Sequence, residues 1–194
     1  MKDKTILQIV ISGLLLFIIG YFAYVLMTSY DSMGEEAVAV FRQDNIYGDV
    51  VVSKYRDGVK VKATFTKLPP GKHGFHIHKA GDLRGEGCQG LCEHYDIGKN
   101  MHGGTPEHGG QRHTGDLGNI ELKNGKFYKD YYIKDITPRD LWGRSIIVHE
   151  DEDDLGEGPF EDSHTTGHSG KRIGCAIFGR TSCAPKYDKT RKRK

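Results

Sequence analysis

The residues best suited to chemistry are concentrated in one part of the chain. All ten histidines lie between His73 and His168, and none lies in the first 72 residues. The first dense stretch is Gly74-Phe75-His76-Ile77-His78. Read as a β-strand, it points alternate side chains to opposite faces, so His76 and His78 share one face about 6.6 Å apart at the backbone. Their imidazoles can converge on one ion while Phe75 and Ile77 pack the other way. A His-x-His pair alone is equally an ordinary polar strand face. The residues downstream add weight: Gly87-Cys88, Cys92-Glu93-His94-Tyr95-Asp96, Met101-His102-Gly103-Gly104 and Gln111-Arg112-His113-Thr114-Gly115-Asp116. Nearer the C-terminus stand Ser145-Ile146-Ile147-Val148-His149-Glu150 and Lys171-Arg172-Ile173-Gly174-Cys175.

In this order and spacing, the motifs resemble those of the copper/zinc superoxide dismutases, from about Glu36 to Gly179. The resemblance implies copper ligands His76, His78, His94 and His149, and zinc ligands His94, His102, His113 and Asp116. His94 would bridge both metals. It also implies a Cys88–Cys175 disulfide, an arginine beside copper at Arg172, and Asp153 as the carboxylate tying a copper histidine to a zinc histidine. The residue types suit the task. Four imidazoles fit a tetragonal copper site, and three histidines with one aspartate make a closed tetrahedral zinc site. Zinc does not change oxidation state, so redox work would fall to copper.

The chain departs from the family pattern in places. The His102–His113 interval is slightly long and carries His108 before Gly109-Gly110, which makes His108 a rival for the zinc position of His102. His108, His73, His164 and His168 otherwise read as solvated loop residues. Cys92 reads as a free, partly buried thiol, with a copper-ligand role as its rival. Cys183 has no evident family partner and could pair with Cys92 or with a second chain. Glu161, Asp162 and Thr166 match the family's electrostatic loop, but Thr165 stands where a lysine is common. Ala80 and Arg180 occupy places where family dimers use apolar residues, which argues against the usual dimer and leaves dimerisation open.

The elements that position these residues are set by patterning. Residues 6–27 form an uncharged run of 22, long enough to cross a bilayer as a helix. Lys2 and Lys4 precede it and the next basic residue is Arg42, so the positive-inside rule puts residues 1–5 in the cytosol and the remainder across the membrane, lumenal or extracellular. The rival is a cleaved signal peptide and a secreted product. Residues 28–35 read as a polar linker. From Glu36 the period is two. Strands are predicted at 37–41, 46–52, 59–65, 74–78, 118–122, 127–133, 146–148 and 173–178. Turns are predicted at Arg56-Asp57-Gly58 and Asn124-Gly125. Long excursions at 79–115 and 150–171 carry the remaining chemistry.

The expected fold is thus all-β, an eight-stranded antiparallel Greek-key barrel or sandwich over 36–183, preceded by one transmembrane helix. A tail at 184–194, with six basic residues and one acid from Lys186 onward, reads as disordered and suited to a polyanion or anionic lipid headgroups. The formal charge of +2 makes no general case for nucleic acid. The function implied by the resemblance is superoxide dismutation with copper and zinc as cofactors, His94 and Arg172 being the catalytic residues. The alternative is a copper-binding or chaperone-engaging module of the same fold without activity.

Overall fold

The computed structural model describes residues 2–32 and 36–181; within the first segment, side chains are described at Gln8 and at 11–27. The chain divides into two units at Glu35/Glu36.

The first unit is one helix, α1 (Lys2–Ser32). At 1.5 Å per residue its 31 residues run about 46 Å. Its large apolar side chains between Ile11 and Met27 are all exposed, Phe17 and Met27 to 73%. Among the described residues, no helix is long and apolar enough to cross a membrane. The structure therefore does not establish the expected transmembrane helix. Residues 28–32 of the expected linker are helical. Cys183 and the basic tail at 184–194 lie outside the described residues.

The second unit is a sandwich of two antiparallel sheets. One has the order β6-β3-β2-β1-β9 and the other β5-β4-β7-β8. The strands are β1 (Glu36–Gln43), β2 (Ile46–Tyr55), β3 (Gly58–Lys67), β4 (His73–His78), β5 (Asp116–Ile120), β6 (Phe127–Lys134), β7 (Ser145–His149), β8 (Arg172–Ile177) and β9 (Gly179–Arg180). The two sheets do not close into a barrel. Eight strands overlap those expected from the sequence. The ninth is a two-residue edge that pairs with Ala37 and Val38, too short to leave a periodic signal. Two one-turn helices, α2 (Pro138–Leu141) and α3 (Ser163–Thr166), punctuate the later loops.

Period-two patterning puts Phe41, Val50, Val52, Val61, Phe65 and Phe75 in one core. Phe65 is its hub, with ring centroids 5.2 Å from Phe41, 5.6 Å from Phe75 and 6.3 Å from Phe127. These contacts tie the outer sheet to β4, the strand that carries His76 and His78. The β2–β3 turn departs from expectation in one respect. Arg56 takes the left-handed conformation (φ 53°), while Gly58 already belongs to β3. A Cβ at Gly58 would lie 2.0 Å from the carbonyl oxygen of Ile133, so close approach of β6 demands this glycine. Replacing Phe65 with alanine should cost about 3–5 kcal/mol, read as a lower midpoint in urea unfolding of the metal-free protein. A change under about 1 kcal/mol would show that Phe65 is not the hub.

Candidate metal centre

The inner face of β4 is fully buried. β4 pairs with β7 so that His76 faces Ile147 and Phe75 faces Val148, and His149 emerges at the end of β7 beside Arg172 of β8. A bridge from His78 to His94 brings the 79–115 excursion back over the sheet. Rings of His76 and His94 approach to 4.1 Å, His78 and His94 to 4.8 Å, and His76 and His149 to 4.9 Å. Two donor groups result, His76/His78/His94/His149 and His94/His102/His113/Asp116, each with its ligand atoms within 4.8 Å of one another. His94 belongs to both.

The hydrogen bonds fix which ring nitrogen faces inward. His76 Nε2 lies 2.8 Å from Asp153 Oδ2, and His102 Nε2 lies 2.8 Å from Asp153 Oδ1. His78 Nδ1 donates to Cys92 O at 2.8 Å, and His149 Nδ1 points to Gly170 O at 3.4 Å. What remains is a set of six buried ring nitrogens without a hydrogen-bond partner among the described residues: His76 Nδ1, His78 Nε2, His94 Nε2, His102 Nδ1, His113 Nδ1 and His149 Nε2. A buried polar atom left unpaired costs about 1–3 kcal/mol, so six in one place call for cations. Asp116 Oδ1 stands 2.8, 3.1 and 3.4 Å from the Nδ1 atoms of His94, His102 and His113. Donors bonded tetrahedrally to zinc at about 2.0 Å are spaced by about 3.3 Å, so the second group has the size of a zinc site. The first, four imidazole nitrogens, has the donor chemistry of copper(II). The residues present fit both metals.

His102, buried at 3% exposure, joins the zinc-sized group. His108 does not. It is half-exposed and pairs with Glu157 at 3.4 Å. His164 and His168 are outside both groups. His168 stacks on Phe160 at 3.6 Å and contacts Asp162 at 2.7 Å. His73 departs from its expectation as a solvated loop residue. It is 3% exposed, and its ring sits between the carbonyls of His149, Glu150 and Pro69 at 2.9–3.1 Å. It clasps the chain at His149, and only its place in the β4 alternation could have signalled that. Sequence reasoning also missed Asn119 and Arg112. Asn119 exchanges two 2.8 Å hydrogen bonds with the main chain of Asp153. Arg112 Nη1 donates to the carbonyls of His113, Thr114 and Asp116. Cys92 is a free thiol outside both groups but exposed rather than partly buried as expected, and Cys88–Cys175 is a disulfide.

Arg172 is held by the loop that this disulfide anchors. Its Nη1 donates to Cys88 O (2.9 Å) and Gln89 O (3.3 Å), and its Nη2 to Cys92 O (2.6 Å). A guanidinium has five N–H donors. Nε–H and one Nη2–H therefore stay without a partner among the described residues. Gly167 (φ 66°) caps α3, and a Cβ there would lie 2.1 Å from Asp153 Oδ1 and 2.4 Å from His102 Nε2, so only glycine fits against that hydrogen bond.

Burial sets the electrostatics. Desolvation, reinforced by neighbouring His76, pushes His94 down to about 3 and His149 down to about 2. Desolvation opposes charge on Asp116 and Asp153 as well. It is outweighed by the hydrogen bond from His94 and the close approach of the His102 and His113 rings at Asp116, and by hydrogen bonds from His102 and His76 at Asp153, which hold both carboxyls below the ordinary range. Desolvation likewise opposes charge on His102, but the nearby Asp116 carboxylate and the hydrogen bond to Asp153 raise it to about 9.

A two-sheet sandwich with two histidine groups sharing one imidazole defines a binuclear metalloprotein. The sequence profile of the family described as copper/zinc superoxide dismutase matches residues 46–178. A Cu-Zn superoxide dismutase of Paramecium bursaria Chlorella virus 1 is 43% identical over 148 residues, covering 74% of this chain and 77% of the relative. An extracellular Cu-Zn superoxide dismutase of Haemonchus contortus is 45% identical over 125 residues, 62% of this chain and 67% of the relative. The crystal structure of the clock protein EA4 superposes with a TM-score of 0.67 at 36% identity, covering 74% of this chain and 93% of that one. The chain belongs to the copper/zinc superoxide dismutase family. It is an oxidoreductase that uses copper and zinc to dismute superoxide.

The metal-free protein should lose stability in acid. His94 and His149 are neutral when folded, whereas an unfolded histidine takes up a proton near pH 6.5. Their contribution is present above about pH 6.5 and is lost as pH falls toward about 3. The urea midpoint measured in chelator should fall steadily from pH 7 to pH 4; a midpoint flat over that range would contradict the buried neutral rings.

Proposed function

We propose that His76, His78, His94 and His149 hold copper, that His94, His102, His113 and Asp116 hold zinc, and that Arg172 and His94 do the catalytic work. The observation that carries this assignment is the set of six orphaned ring nitrogens. Copper, when bound, supplies the one-electron redox chemistry that no side chain here can. The residues do the rest. Two superoxide ions and two protons become one dioxygen and one hydrogen peroxide. The Nε–H and the spare Nη2–H of Arg172 bind the incoming anion by charge-assisted hydrogen bonds. Nε2 of His94 carries a proton in the reduced half of the cycle and gives it up in the oxidised half. Asp153 holds the protons on Nε2 of His76 and His102, so that both rings keep Nδ1 turned inward, as second-layer partners of metal histidines do. The non-catalytic alternative loses its footing because all seven metal residues and Arg172 are retained.

Loaded with both metals, the protein should dismute superoxide far faster than free solution does. His149→Ala should abolish this, and Arg172→Ala should reduce kcat/KM several-fold with copper content unchanged. A metal-replete protein no faster than free solution would leave only the copper-binding reading.

The domain further reads as tethered on the lumenal or extracellular side of a membrane by residues 6–27. The support is the uncharged run of 22, its place inside one helix and the exposure of its apolar side chains. Relatives named extracellular in Haemonchus contortus, Schistosoma mansoni and Drosophila melanogaster favour the same side. The basic tail suits an anionic surface there, and the usual dimer face is altered by Arg180, whose guanidinium covers Trp142 at 4.9 Å. Full-length protein should stay in the membrane pellet after alkaline carbonate extraction. Release of a shortened soluble product would favour cleavage and secretion instead.

A further inference from the structure

A recess lined by none of the residues of the two donor groups opens where the β5–β6 crossover passes the start of β4. Its volume is about 340 Å³, within the range of small-ligand sites. Lys72, Lys123 and Lys126 line it against one acid, Glu121, together with Phe127, whose ring packs toward the core, and Tyr128 on the opposite face of β6. Tyr128 is 61% exposed. The floor is fixed: Asn119, which also lines the recess, is bonded twice to the main chain of Asp153.

The charges here are unbalanced in a specific way. Lys123 N donates to Lys126 O at 2.9 Å, and Lys126 N donates to Lys123 O at 3.2 Å. The two lysines are therefore direct neighbours across the Asn124-Gly125 turn. Like charges placed directly opposite are destabilising, and the turn needs lysine at neither flank. Three other lysines are neutralised, Lys72 by Glu152 at 2.6 Å, Lys60 by Asp130 at 3.4 Å and Lys129 by Glu107 at 3.5 Å, while Lys62 sits over the Tyr128 ring at 5.9 Å. Lys123 and Lys126 have no ion-pair partner among the described residues. Two unneutralised cations thus flank a small recess beside the exposed ring of Tyr128, a composition that suits an anion with a ring-shaped body.

We propose that this recess binds a monosaccharide carrying one phosphate or sulfate ester. The ester lies between Lys123 and Lys126, and the sugar ring rests against the exposed Tyr128. This goes beyond the dismutation reaction and uses neither the proposed metal residues nor Arg172, although Asn119 of its lining also fixes Asp153.

The test uses the full chain in uncharged detergent, loaded with copper and zinc, and ligand-observed NMR with glucose 6-phosphate, glucose 6-sulfate and glucose. Both esters should bind with a Kd of about 1 mM or tighter, and glucose should not. Lys123→Glu/Lys126→Glu should weaken ester binding at least tenfold with metal content and circular dichroism unchanged, since both side chains are exposed. Lys54→Glu, which does not line the recess, should leave binding within twofold. Binding of one ester only, by the same lysines, would identify which acid the recess takes. Absence of ester binding, a double variant within twofold of the parent, or an equal loss in Lys54→Glu would overturn the proposal.

Discussion

The carboxylate of Asp153 is the constraint on which the metal centre rests. One oxygen takes the outer N–H of His76 and the other that of His102, both at 2.8 Å. A single side chain, 1% exposed, thereby sets the tautomer of one ring in each donor group. Ring nitrogens face inward because their opposite nitrogens are occupied. Other parts of the structure serve this carboxylate. Asn119 fixes its main chain, Leu155 N donates to Oδ1 at 2.7 Å, and Gly167 leaves the space that the bond with His102 fills. The two long excursions are irregular, yet neither is free where it meets Asp153.

Much of this was legible in the sequence, and the reasons are physical. The period-two alternation from Glu36 onward reports burial directly, so eight strands could be read. The same alternation puts His76 and His78 on one face. What could not be read was long-range. His73 lies in the same alternation, but its burial depends on three carbonyls from distant segments. The choice between His102 and His108, each before a Gly-Gly, turns on which loop residue folds under the 150–171 segment. Asn119 and Arg112 act through main-chain atoms, and bonds to the main chain carry no residue-type signature. The two-residue β9 and the one-turn α2 and α3 are shorter than any period.

The disulfide and Arg172 belong to one mechanical unit. Cys88–Cys175 joins residues 87 apart in sequence and so pins the first excursion to β8, the strand that Arg172 begins. Closing a loop of that length removes unfolded-state entropy worth about 4–5 kcal/mol in the chain-entropy model. Its local effect is as important. The carbonyls of Cys88, Gln89 and Cys92 can hold the guanidinium only while that segment is anchored.

Cys92 has a backbone (φ 60°, ψ −157°) in a region that glycine alone occupies without strain. The strain turns its carbonyl to where both His78 Nδ1 (2.8 Å) and Arg172 Nη2 (2.6 Å) can reach it. In the proposed assignment, metal retention and substrate capture thus share one peptide as a common point of failure. Any drift in this turn shifts the His78 ring and the Arg172 guanidinium together.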